Sequence, residues 1–334
     1  MIYSASLSLK LIKHIRASRS RDNGKFPFVL MLEPLFACNL QCQGCGRIKE
    51  YAGQLSETLS REQCLEAAAQ AGAPIVSVTG GEPLLHPDID GIVEGLLKQG
   101  YFVYLCSNGL LMEDFLTRMQ PHPGLSLVIH IDGTKQTHNR MTGRKDAFDA
   151  AMGAIVKAKQ LGYAVRTNTT VYSQSSPKEI AALFGQLKKA GADGIMVSPA
   201  FSYSHIKDDL FLDQNHAHAV FGQIYEKMGR IRLYNTPLYW EFLCGRRDLQ
   251  CIPWSTPTVN PVGWKSPCYL ITDAHFDSYE ALMKKTPWEK YGKGRDPRCA
   301  NCMMHCGYEA SSIAGKKSFA DMLKLAKWNI MGRA

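Results

Sequence analysis

The chain has 334 residues and a formal net charge of +9, and 45% of its residues are hydrophobic. This length and composition predict a globular protein with a large core and exclude a disordered chain. Uncharged apolar runs stay well short of the roughly eighteen residues of a transmembrane helix. Because Lys10, Lys13 and His14 interrupt the apolar N-terminal segment, no signal peptide is expected, and we expect a cytoplasmic protein.

The positive charge is concentrated at the two ends. Residues 1–25 carry six Lys or Arg against Asp22, and residues 311–334 carry five against Asp321. These two segments account for the whole net charge, so the rest of the chain is neutral on balance.

Short apolar runs alternate with amphipathic helical segments from about residue 28 onward. Strands are predicted at 28–32, 75–79, 102–106, 125–131, 164–171 and 194–199. Helices are predicted near 60–70, 88–98, 112–119, 147–161 and 177–190. This alternation favours an α/β fold with a parallel sheet and right-handed crossovers. Six such units predict an open, partial (β/α)6 barrel, since eight are needed to close one.

The pattern changes after about residue 235, where prolines become frequent and cysteines cluster. We therefore predict three parts: a basic amphipathic helix in 1–27, the partial barrel in 28–235, and a Cys-rich C-terminal region in 236–334. A basic helix near 318–331 is expected to end the last part.

Seven of the eleven cysteines lie in two tight groups, which favours metal ligation over a disulfide framework. The first group is Cys38, Cys42 and Cys45, in the loop after the first strand. Three thiolates at this spacing can bind three corners of a 4Fe–4S cube and leave the fourth iron without a protein ligand. A structural metal site is the alternative, although zinc usually takes four ligands in two pairs.

A second motif, Gly80-Gly81-Glu82-Pro83, directly follows the second strand. Its glycines allow the backbone to approach a ligand closely, and Glu82 can accept a hydrogen bond from an ammonium group. By itself the tetrapeptide is also an ordinary turn.

Together these motifs resemble the radical S-adenosylmethionine (SAM) superfamily. The resemblance implies a 4Fe–4S cluster on Cys38, Cys42 and Cys45, with SAM bound to the open iron and Gly80, Gly81 and Glu82 near its amine.

One departure from the superfamily pattern is Gly44, because the superfamily usually has an aromatic residue before the third cysteine. Weaker positions that the resemblance assigns to SAM binding are Asn108, Asp132, Asn168 and Ser198, although Asn-Gly and Asp-Gly are also common turn pairs.

The second cysteine group comprises Cys268, Cys299, Cys302 and Cys306. It is similar to the auxiliary-cluster regions of peptide-modifying radical SAM enzymes, but with different spacing. A second iron–sulfur cluster, a zinc ion and unligated thiols all remain open. The other thiols, Cys64, Cys244 and Cys251, are expected to be packed in the interior.

Several longer segments of the sequence point to one family within the superfamily. They are residues 29–36, 80–86, 102–106 and, most specifically, 299–309 with its CxxCxxHCGYE block. These are similar to hopanoid-biosynthesis radical SAM enzymes of the adenosylhopane synthase type. That family implies addition of the 5′-deoxyadenosyl radical to the terminal alkene of diploptene, with a flavodoxin- or ferredoxin-type electron donor.

Radical addition to an alkene leaves a carbon radical that must receive one hydrogen atom, and a thiol S–H bond is weak enough to supply it. Cys106 ends the third strand near the expected SAM site. It shares a strand face with Tyr104, so it points into the barrel if Val103 and Leu105 pack against the helices. We therefore predict Cys106 as the hydrogen donor; a small core thiol is the alternative.

The basic ends fit a lipid substrate, because Leu7, Leu11 and Ile15 recur at helical spacing between cationic residues. Such helices favour peripheral contact with an anionic membrane, or they pack on the body with solvated lysines. Nucleic acid is not expected, since the ends lack aromatic clusters for base stacking. Modification of a peptide or another small molecule is the alternative enzymatic function, and an iron–sulfur electron carrier is the alternative class.

Overall fold

A computed structural model of the chain describes residues 2–18, 24–203, 206, 208–315 and 317–332. Arg19, Arg21, Lys316 and Arg333, which contribute to the basic ends, lie outside these ranges. Within them, nine strands form one sheet in the order β6-β5-β4-β3-β2-β1-β7-β8-β9. The strands are β1 Val29–Leu32, β2 Ile75–Val78, β3 Phe102–Ser107, β4 Leu125–His130, β5 Ala164–Val171, β6 Gly194–Pro199, β7 Thr258–Asn260, β8 Gly263–Pro267 and β9 Thr272–Phe276.

Strands β1 to β6 run parallel and agree with the six predicted strands to within one residue at each end. The helices between and after them are α1 Ala5–Ser18, α2 Gly46–Glu50, α3 Arg61–Ala71, α4 Ile89–Lys98, α5 Met112–Arg118, α6 Lys135–Thr142, α7 Ala147–Gln160, α8 Pro177–Lys189, α9 Gln214–Lys227, α10 Pro237–Leu243, α11 Tyr279–Lys285, α12 His305–Ala314 and α13 Phe319–Met331. The partial α/β barrel is thus confirmed. The extension was not predicted: β7 pairs with β1 in parallel, and β8 and β9 follow antiparallel.

The strands have two differently buried faces. In β5, Val165, Thr167 and Thr169 are fully buried beneath the helices, whereas Arg166 and Asn168 on the other face are only half-buried. Successive side chains of a strand point to opposite sides, so the less buried set faces the interior of the barrel. This interior is therefore incompletely filled by side chains.

Helix α1 closes the barrel at the amino ends of the strands. The Lys10 ammonium donates to the Gly100 carbonyl at 2.6 Å, and the His14 ring lies 2.7 Å from the Pro27 carbonyl. Gly100 and Pro27 come just before β3 and β1, so α1 lies across the bottom of the barrel. Its buried residues, Leu7 and Leu11, face the interior.

Helix α12 closes the open side between β6 and the segment that leads into β7. At one end of the gap the Glu309 carboxylate accepts from the Thr236 backbone N–H at 2.6 Å, in the segment that runs beside β6. Near the other end the Thr256 hydroxyl donates to the Cys306 carbonyl at 2.6 Å, just before β7. The C-terminal region thus supplies the wall that six strands leave out.

Within the described residues, no helix has both the length and the apolar character needed to cross a bilayer.

Candidate active site

A cavity of about 380 Å³ runs through the barrel from the carboxyl ends of the strands to α1, within the size range of small-molecule sites. Its upper wall is polar and includes Cys38, Cys42, Cys45, His130, Asn168 and Thr170. Its lower wall is apolar and aromatic and includes Leu11, Phe28, Val29, Ile75, Tyr104 and Tyr234. The cavity therefore has a polar end and an apolar end.

The three thiols of the first cysteine loop all line the upper end. Burial raises the pKa of Cys38 to about 11, so a cation is needed to stabilise its thiolate at neutral pH. An added Cβ at Gly44 would lie 2.4 Å from the Tyr172 ring, and one at Gly46 would lie 2.5 Å from the Tyr203 ring. Tyr172 thus occupies the space beside Gly44, which explains how the loop accommodates glycine where superfamily members usually carry an aromatic residue.

The two glycines after β2 pack on the backbone of the cysteine loop. A Cβ at Gly81 would lie only 1.9 Å from the Ala37 carbonyl oxygen, and one at Gly80 would lie 2.4 Å from the Leu35 carbonyl oxygen. The Gly81 and Glu82 N–H groups donate to these same two carbonyls at 3.1 and 2.8 Å. Both positions therefore require glycine because another segment of backbone lies very close. In this protein that segment is residues 35–37, not a ligand.

Glu82 is also bound by the protein itself. Its carboxylate accepts from the backbone N–H of Asn108 at 2.8 Å and from that of Leu84 at 3.2 Å. Burial raises its pKa to about 7. The Asn108 side chain donates to the Asn39 amide oxygen at 2.7 Å. Glu82 and Asn108 thus hold the ends of β2 and β3 against the cysteine loop, and direct contact of either with SAM stays a prediction.

A cluster of imidazoles lies at the carboxyl ends of β4 and β5. His130 and Asp132 pair at 2.7 Å; burial disfavours the charged imidazole, but the Asp132 carboxylate outweighs this and raises the pKa of His130. His138 accepts from the Asp132 N–H through Nδ1 at 3.1 Å, so its Nε2 carries the proton. Burial lowers the pKa of His138 to about 4, which keeps this ring neutral.

Two polar atoms of this region lack a hydrogen-bond partner among the described residues: His138 Nε2 and Asn168 Oδ1. Both residues line the cavity, whereas the predicted Asp132 and Ser198 are buried and are not among its lining residues. The two sequence candidates Asp132 and Ser198 therefore do not contact the cavity directly. Sequence reasoning missed His138, because it lies on α6, which the strand pattern did not predict.

A buried ion network joins the first cysteine loop to the C-terminal region. Arg47, two residues after Cys45, pairs with Glu33 at 2.7 Å, and both side chains are at most 5% exposed. The Arg47 guanidinium also donates to the Tyr269 carbonyl and stacks 4.3 Å from the Tyr269 ring. Because Tyr269 follows Cys268, this contact connects the two cysteine groups.

The C-terminal cysteines surround a smaller cavity that shares a wall with the main one. Cys268, Cys299, Cys302 and Cys306 line it together, and Cys306 lines both cavities. Cys251, expected as an isolated packed thiol, lies at this cavity too, and the four thiols add to the rise in its pKa that burial causes. No sequence spacing signalled this fifth thiol.

Within the described part of the chain, no three Cys, His, Asp or Glu side chains converge closely enough for a single metal ion. This holds for both cysteine groups. Metal binding by the C-terminal group stays a prediction.

Cys106 lies on the cavity wall between the polar and apolar ends. As the alternation predicts, Val103 and Leu105 pack in the core beneath the helices, and Tyr104 and Cys106 face the interior. The Cys106 sulfur is 3.4 Å from the Ser77 hydroxyl. Burial raises the pKa of this thiol to about 11, so it remains an S–H group at neutral pH.

Comparison with known proteins identifies the barrel. Residues 32–187 match the family model described as the radical SAM superfamily, and residues 195–328 match a domain of unknown function, DUF3463. Residues 32–187, which hold the first cysteine loop and strands β2 to β5, thus belong to the radical SAM superfamily.

Among the relatives of the chain is the AdoMet-dependent heme synthase of Methanosarcina barkeri, 30% identical over 171 residues, which are 50% of this chain and 48% of that protein. The subtilosin biosynthesis protein AlbA of Bacillus subtilis is 24% identical over 90% of this chain and 70% of its own length. The crystal structure of Streptococcus suis SuiB shares the fold, with a TM-score of 0.62 at 16% identity, covering 94% of this chain and 81% of SuiB. The chain thus spans about half the length of the heme synthase it matches.

The cofactors of the superfamily are a 4Fe–4S cluster and SAM, and the residues present fit both. Cys38, Cys42 and Cys45 provide three thiols at one end of the cavity. The unpaired His138 Nε2–H and Asn168 Oδ1 provide one donor and one acceptor beside them. A polar ligand in the upper cavity would satisfy both atoms, which otherwise remain buried at a free-energy cost.

Changing Gly81 to Ala should displace the cysteine loop and reduce cluster incorporation several-fold, because its Cβ would overlap the Ala37 carbonyl. Iron and sulfide per chain after anaerobic reconstitution measure this. Gly53→Ala is the control, since an added Cβ there meets no atom within 4 Å. Full loading of the Gly81→Ala protein would contradict the packing role of this glycine.

A triple Cys38→Ala, Cys42→Ala, Cys45→Ala variant isolates the C-terminal thiols. If they hold a second cluster, this variant should retain about four iron atoms per chain after reconstitution. Adding Cys302→Ala to the triple variant should then lower the iron content. Zinc in place of iron would favour a structural zinc ion, and a metal-free triple variant would mean that the thiols are unligated.

Proposed function

We propose that this radical SAM enzyme transfers the adenosyl group of SAM to the terminal alkene of a hopene-type hydrocarbon such as diploptene. The observation that carries this proposal is the apolar lower half of the cavity, lined by residues such as Leu11, Phe28 and Ile75. A large hydrocarbon gains most of its binding free energy from burial against such a wall, at about 25 cal/mol per Å² of apolar surface. The likeness of residues 299–309 to hopanoid enzymes supports the same substrate class.

When bound, the cluster and SAM supply a 5′-deoxyadenosyl radical at the expense of one electron from a flavodoxin- or ferredoxin-type donor. The chain's own residues position the reactants. The cysteine loop and the imidazole cluster hold the polar cofactors at the top of the cavity, and the apolar wall holds the hydrocarbon below them. The alkene is thereby placed between the two ends, at the height of Cys106.

In this proposal Cys106 completes the reaction. Addition forms one C–C bond and leaves an unpaired electron on the adjacent substrate carbon. The Cys106 thiol transfers a hydrogen atom to that carbon and becomes a thiyl radical, which the same class of one-electron donor reduces with uptake of a proton. Its raised pKa supports this role, because a thiolate has no hydrogen atom to give.

A second candidate is modification of a peptide or another small molecule with help from an auxiliary cluster. The names of the relatives favour it over the hydrocarbon, since AlbA belongs to bacteriocin biosynthesis and SuiB has been crystallised with its precursor peptide SuiA. The five thiols around the C-terminal cavity suit an auxiliary cluster. Polar groups on the main cavity wall, including the half-buried His305 and Glu309, also suit a substrate with polar atoms.

Anaerobic incubation of the reconstituted enzyme with SAM, a reductant and diploptene should consume SAM and yield an adenosyl–hopane adduct, measured by mass spectrometry. Free 5′-deoxyadenosine accompanied by an oxidised substrate would contradict adenosyl transfer. SAM cleavage stimulated by a peptide, and not by diploptene, would support the second candidate.

Replacing Cys106 by Ala should leave SAM cleavage intact and lower the yield of reduced adduct at least tenfold, because the carbon radical loses its hydrogen donor. Cys244→Ala is the matched control, as Cys244 is a half-buried thiol that does not line either cavity. Liquid chromatography with mass spectrometry of the products measures the effect. Wild-type yield in the Cys106→Ala protein would remove this thiol from the mechanism.

A further inference from the structure

Helix α13 exposes an apolar face to solvent. Phe319, Leu323 and Ile330 are 71%, 54% and 66% exposed, and their spacing places them on one side of the helix with Met322. The opposite side, with Asp321 and Trp328, is buried against the body. An amphipathic helix on a soluble body normally turns its apolar side inward, whereas α13 has apolar residues on its outer side as well.

Helix α1 continues this surface. Leu9 and Ile12 are 53% and 48% exposed on its outer side. The two helices lie next to each other, because the Ile2 backbone N–H donates to the Asn329 carbonyl at 2.7 Å and the Asn329 amide donates to the Ser8 hydroxyl at 3.4 Å. Ser8 and Asn329 each lie beside the apolar side of their helix, so the two apolar sides adjoin.

The charges on these two helices are almost all positive. Lys13 and Arg16 on α1 and Lys327 on α13 are exposed. Asp321 is the one acidic residue in the two helices, and it is buried and paired with Arg247 at 2.6 Å. Exposed apolar side chains flanked by cations match the interface of an anionic bilayer. A second copy of the chain would bring like charges together on this surface.

The surface also adjoins the substrate cavity. Tyr3 and Leu11 line the cavity from the inner side of the N-terminal segment, while Leu9 and Ile12 point outward. One helix, about 10 Å across, therefore separates the apolar end of the cavity from the outer surface.

We propose that the outer faces of α1 and α13 form a docking surface for an anionic phospholipid bilayer, and that an apolar substrate passes from the bilayer into the lower cavity beside α1. The apolar side chains insert at the interface, and Lys13, Arg16 and Lys327 contact the headgroups. The route of entry rests on the proposed function, whereas binding to the bilayer does not.

Flotation of the cofactor-loaded enzyme with vesicles tests the surface. The protein should float with vesicles of phosphatidylglycerol and phosphatidylcholine, and binding should weaken with pure phosphatidylcholine or added salt. The Leu323→Gln, Ile330→Gln variant should partition at least tenfold less, since two exposed apolar anchors are lost. Lys13→Gln, Arg16→Gln should lose the preference for the anionic lipid.

The matched control is Val156→Gln, Leu161→Gln, which removes two comparably exposed apolar side chains at α7, 40% and 43% exposed, and should bind as wild type does. Wild-type protein that fails to float, or equal loss in the control variant, would overturn the proposal. So would a dimer in sedimentation analysis that Leu323→Gln, Ile330→Gln dissociates, because the surface would then bind a second copy. An enzyme that forms adduct from detergent-dispersed diploptene yet does not float would refute the docking surface alone.

Discussion

The incomplete closure of the barrel is the constraint on which the rest of the structure depends. Eight parallel strands can fill their interior with their own side chains, but six leave both an open side and unfilled space. In this chain α12 covers the open side and α1 covers the amino ends of the strands, so the unfilled space becomes a cavity with walls on these sides. Each helix also contributes to the cavity wall, through Glu309 and Cys306 on one side and Leu11 below. The segments outside the six-stranded unit thus decide which molecules the cavity can accept.

Backbone packing and buried charged side chains fix the position of the first cysteine loop at the upper end of the cavity. Gly80 and Gly81 pack on residues 35–37, and Glu82 binds the backbone at Asn108 and Leu84. Arg47 anchors the far side of the loop to Glu33 and to Tyr269. Removing one partner of such a buried pair leaves an uncompensated charge and typically costs about 3–5 kcal/mol. This arrangement makes the position of the first cysteine loop depend on the C-terminal region.

The cavity and the relatives favour different substrates, and the difference has a structural origin. The residues that match the superfamily model, 32–187, hold the first cysteine loop and most of the parallel strands. Other parts of the cavity wall come from α1, α12 and the segment around residue 270, outside the residues that match the superfamily model. The apolar wall of this chain and the exposed apolar faces of α1 and α13 are consistent with a lipid substrate. The C-terminal thiols and His305 are the features of this chain that suit the second candidate, modification of a peptide or another small molecule.

The sequence by itself determined the six parallel strands, because each is a short apolar run between helical segments, and the cofactor loop, because three close cysteines are a local signal. It also predicted which face of β3 carries Cys106, since alternation along a strand is a local property. Only the tertiary structure decided that Asp132 and Ser198 stand behind the cavity wall, that His138 faces the cavity, and that Cys251 joins the C-terminal thiols. These depend on which distant segments pack together, through contacts that local periodicity does not encode. The cysteine spacing indicated iron–sulfur and SAM chemistry. The packing of α1 and α12 around the open barrel determined the shape of the cavity beside the cysteines.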